Sequence, residues 1–180
     1  MATLDLRAVL TALARAISDG VNNPTLLVTE TSDDLLTEDT ANVRANTTAT
    51  PDPASRTVAC YDLIPPTTPQ FPCVIVRPGD PFVAYHRSFG TDVLCDVQVE
   101  VLVMHQGTTD IDSQIVVLDL LSAGTGRVNS VIDAISVDRT LGGAVANVIV
   151  TEASGLSRVA ATDGSEAVQA SLQVLIRLRR

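Results

Sequence analysis

Strict alternation over eleven consecutive residues constrains this chain more than any other feature. From Val93 to Val103 every second residue is apolar: Val93, Cys95, Val97, Val99, Val101 and Val103. Leu94, Asp96, Gln98, Glu100 and Leu102 fill the places between them. Side chains of a β-strand point alternately to opposite faces, so this period of two predicts a strand with one apolar and one mixed face. The carboxyl end repeats the device. There Val168, Ala170, Leu172, Val174, Ile176 and Leu178 alternate with Gln169, Ser171, Gln173, Leu175, Arg177 and Arg179. Strands apolar on a single face need another layer to cover it.

Helical spacing supplies that layer. Leu6, Val9, Leu10, Leu13 and Ile17 recur at three- and four-residue intervals and predict an amphipathic helix over about 3–19. Asp5 suits its positive end and Gly20 is a natural stop. A second helix is expected after Thr109, which with Asp112 resembles a capping box. Ile111, Ile115, Leu118 and Leu121 would line its buried face. The run 122–126 (Ser-Ala-Gly-Thr-Gly) breaks it, and Val128, Val131, Ile132 and Ile135 suggest a shorter helix beyond.

Further strands are expected at 57–64, at 71–77 with the apolar run Cys73-Val74-Ile75-Val76, at 82–89, and at 144–152. Pro78-Gly79-Asp80-Pro81 reads as a turn between two of them, Gly90-Thr91-Asp92 as another, and 153–167 as a soft loop. The stretch 29–56 has no periodicity and reads as an extended arm that contacts a partner. The expected fold is therefore α+β, a single domain over 1–180. It has a mostly antiparallel sheet with helices on one face, in the order αβββ(β)αββ, with the arm after the first helix.

Composition narrows the chemistry. Hydrophobic residues make up 46% of the 180 and aromatics only 3%, so Val, Leu, Ile and Ala must build the core. The net charge of −9 repels phosphate backbones and argues against sequence-specific binding of nucleic acid. All 12 cationic residues are Arg, and without a Lys no Walker A phosphate loop exists. Gly124-Thr125-Gly126 follows a helix instead of opening one, which suits a break. Cys60, Cys73 and Cys95 are widely spaced, form no CxxC pair, and read as small buried hydrophobes of a reducing cytosol. No signal peptide and no apolar run of about 20 residues is present, so a protein made in the cytoplasm is expected.

Candidate reactive residues are few. His86 and His105 stand outside any HxH, HxxxH or HExxH pattern, and Ser154-Gly155 lacks the first glycine of a nucleophile elbow. Glu30, Asp33, Asp34, Glu38 and Asp39 form an acidic cluster without calcium-loop spacing. Neither catalysis, metal nor cofactor is expected. Contacts between subunits are the simpler use for Asp33, Asp34, Glu38 and Asp39, and for the terminal cations Arg177, Arg179 and Arg180.

Three stretches carry a resemblance to a known family. They are the opening helix 6–21 (LRAVLTALARAISDGV), the central segment 72–135, which begins PCVIVRPGDPF, and the tail formed by 141–155 and 170–180. In this layout the chain resembles the tail-terminator, or tail-completion, proteins of long-tailed bacteriophages, and the 29–56 arm departs from their compact pattern. The resemblance implies a structural virion protein. It would form a ring, usually of six subunits, that caps the tail tube and meets the head-side connector while DNA passes through the lumen. It implies neither cofactor nor reaction. Other readings are a head–tail joining protein, a tail-tube subunit, a small cytosolic enzyme using His86 or His105, or a module with an apolar pocket.

Overall fold

The two alternating segments become the two central strands of one sheet. A computed structural model describes residues 5–22, 58–65, 69–85, 94–107, 110–122, 130–160 and 166–179. Its elements are α1 (Leu6–Asn22), β1 (Ala59–Tyr61), β2 (Cys73–Tyr85), β3 (Leu94–His105), α2 (Asp110–Leu121), α3 (Val131–Val137), β4 (Asn147–Ala153), β5 (Ser157–Ala160) and β6 (Glu166–Arg179). The sheet runs β1-β2-β3-β6-β4, with β5 also paired to β6. β1 lies parallel to β2, and every other pairing is antiparallel. The fold is α+β, as expected; the strands expected at 71–77 and 82–89 are one strand, β2, and β5 is an additional one.

Burial follows the period of two. Cys95, Val97, Val99, Val101 and Val103 on β3 meet Val168 to Leu178 on β6, and all are buried. Val74 and Val76 of β2 and Val148 of β4 extend this apolar surface. All three helices bury their apolar residues on this same side: Leu10, Leu13 and Ile17 of α1, Val116, Val117 and Leu120 of α2, and Val131 and Ile135 of α3. On the other side Cys73, Ile75 and Leu102 form a small satellite cluster beside Phe71 and Met104.

Local chemistry fixes the helix ends. Asp5 precedes α1, and its carboxylate accepts the Ala8 N–H at 3.1 Å. The helix does not stop at Gly20 but continues to Asn22. Gly20 serves another purpose, since a Cβ there would stand 2.4 Å from the Cβ of Ala134 on α3. Glycine is what allows the two helices to touch. Ser130 caps α3, its hydroxyl accepting the N–H groups of Ile132 and Asp133.

Other expectations need correction. Pro78-Gly79-Asp80-Pro81 does not separate two strands. It forms a bulge within β2, because Pro78 pairs with Val99 while Val83 pairs with Val97. A Cβ on Gly79 would approach the Gln98 carbonyl oxygen to 2.9 Å, so the bulge lies flat on β3. The expected soft loop 153–167 contains β5, which forms a hairpin with β6. The expected burial of Ile111, Ile115, Leu118 and Leu121 is also overturned. Ser113, Val116, Val117 and Leu120 face the sheet instead, and Leu121 is half-buried. Thr109, the 124–126 break, the Gly90 turn and the 29–56 arm lie outside the described residues.

The α1–α3 contact yields a test. Gly-to-Ala within a helix ordinarily stabilises by about 0.5–1 kcal/mol. Here Gly20→Ala is expected to destabilise by about 1–3 kcal/mol, because the added methyl overpacks the crossing. The Ala134→Gly background should relieve only part of the loss, because the Cα at position 134 would still stand 2.9 Å from the added methyl. Urea midpoints of the two single variants and the double variant check this.

Candidate functional site

The surfaces left over once the core is built are of two kinds, and they lie on opposite sides of the molecule. On the side away from the helices, successive rows of side chains cross the sheet. One row joins Arg77 on β2, Glu100 on β3, Gln173 on β6 and the exposed Glu152 on β4. The next holds Gln98, Leu175 and, on β4, Ile149; the third holds Asp96, Arg177 and Asn147. Partly apolar Leu175 and Ile149 therefore lie between two arginine rows.

Both arginines are held within the subunit. The Arg177 guanidinium forks onto Asp96, Nε donating to one oxygen at 3.0 Å and Nη2 to the other at 3.4 Å. The paired carboxylate, the main cause, holds the Arg177 pKa above its ordinary value. Arg77 donates to Glu100 Oε2 through Nε at 2.8 Å and Nη2 at 2.6 Å. In each pair the carboxylate is the sunken partner. Asp96 and Glu100 are 11% and 18% exposed in their side chains, against 53% and 39% for Arg177 and Arg77. In these two pairs the guanidinium is therefore the outer group, and Glu152 on β4 adds an exposed carboxylate to the same face.

The second surface is the outward pole of α2. Ile111 is 69% exposed, and Ile115 and Leu118 are 50% exposed each. At 100° per residue these three lie within a narrow stripe opposite the buried residues of the same helix. Asp112 and Asp119 run along one flank of the stripe, and Asp110, at the helix start, is paired with Arg158 of β5. Leu63, Ile64, Tyr85 and Val137 are also exposed, but they stand at or just beyond element ends.

The residues singled out in the sequence fare unequally. Arg177 is found in the Asp96 pair. Arg179 lies on β6 in the register position opposite Leu94. The Arg179 side chain, Arg180, Asp33, Asp34, Glu38, Asp39 and His86 lie outside the described residues. His105 is buried at the end of β3, next to the turn in which the Ser113 hydroxyl accepts the Gly107 N–H at 2.8 Å. That position makes it part of the β3–α2 joint. Among the described residues no three His, Cys, Asp or Glu side chains gather as a metal-binding group, and no helix is long and apolar enough to cross a membrane. The α2 stripe was missed as a surface because its spacing is also that of a buried face.

The thiols are poor nucleophiles. All three cysteines are free. Burial is the main cause that pushes Cys60 up to about 11 and Cys73 up to about 12, and it raises Cys95 as well.

No protein-family model matches this sequence, and no curated protein matches it either.

The thiols generate a pH prediction. Between their ordinary value of 9.0 and the raised values, folded Cys60 and Cys73 keep protons that the unfolded chain releases. Their contribution to stability is thus intact below about pH 9 and is lost as pH rises through about 11 to 12. Urea midpoints should fall from pH 8.5 to pH 10.5, and Cys60→Ala should flatten the decline. A thiol reagent at pH 8 should label the three cysteines only after unfolding.

Proposed function

We propose that the chain is a structural virion protein, a tail terminator whose subunits close into a ring, six by the family resemblance. In this reading the ring caps the tail tube, meets the head-side connector and lets DNA pass through its lumen. One observation carries the proposal. Among the described residues, one face of the sheet carries no helix, while on the other side α2 exposes an apolar pole. Unlike faces on opposite sides suit head-to-tail association, and head-to-tail contacts close into rings when the rotation permits.

Two further features support it. The net charge of −9 suits a channel that must not retain DNA. Of the thiols Cys73 and Cys95 are buried and Cys60 is half-buried with a raised pKa, and His105 is buried at a structural joint, which suits a protein that works by contact. Arg177, Arg179 and Arg180, together with Asp33, Asp34, Glu38 and Asp39, are assigned to contacts with neighbours.

The same geometry would serve a tail-tube subunit, which differs in that its rings stack. Light scattering after gel filtration, paired with negative-stain imaging, separates the two. Single closed rings of about six subunits, or rings formed on the ends of purified tail tubes, are expected. Long tubes formed by the protein alone would identify a tube subunit. A monomer that ignores tube ends would overturn both readings.

A further inference from the structure

We draw no further inference here: the strongest candidate, the exposed apolar stripe of Ile111, Ile115 and Leu118 on the outward pole of α2, carries nothing because nothing in the structure shows what covers it.

Discussion

The pairing of β3 with β6 is the interaction on which the rest of the molecule depends. Its register runs unbroken from Leu94 opposite Arg179 to His105 opposite Val168. The strands are neighbours in space but far apart in the chain, so the ladder closes a long loop. Once it forms, a single apolar surface exists, with valines of β3 beside leucine, isoleucine and valine of β6. β2 and β4 add to its two sides, and the three helices have one place to bury their faces. A register slip of one residue would turn this apolar set away from the helices, so the helices and the register select one another.

How legible this was in the sequence depended on whether a segment had one apolar face or two. β3, β6 and α1 each have one dominant apolar face, and the residues expected on it are buried wherever they are described, save the half-buried Leu6. α2 has two. Ile111, Ile115 and Leu118 repeat as convincingly as Ser113, Val116, Val117 and Leu120, and periodicity cannot say which set meets the sheet. Gly20 misled for a different reason, because a glycine that ends a helix and one that lets another helix approach look alike until Ala134 is placed beside it. Pro78 to Pro81 has the composition of a turn, but the strand resumes on the same partner. β5 is four residues long, too short to show a period.

The site was legible only in part. Arg177 was singled out as a cation on the mixed face of the last strand, and that is where it lies. Its partner Asp96 could not be read from the chain, since the pair joins positions 81 apart through a register known only from the sheet. The layering of charge is likewise a product of the fold. Asp96 and Glu100 have short or well-packed side chains close to the sheet surface, while arginine stems reach over them. In both pairs the guanidinium thus lies outside the carboxylate that holds it.

The side chain of Asn22 carries one more consequence. Its amide nitrogen donates to the Val58 carbonyl at 3.0 Å, and its oxygen accepts the Val58 N–H at 2.8 Å. Two residues 36 positions apart are thereby fastened as if they were strand partners. The contact holds the two ends of the 23–57 segment close together. Closing a flexible loop between fixed ends costs only about 0.6 kcal/mol more for each doubling of its length. The clasp at Asn22 therefore fixes the short span that any segment joining these two points must close, whatever its length.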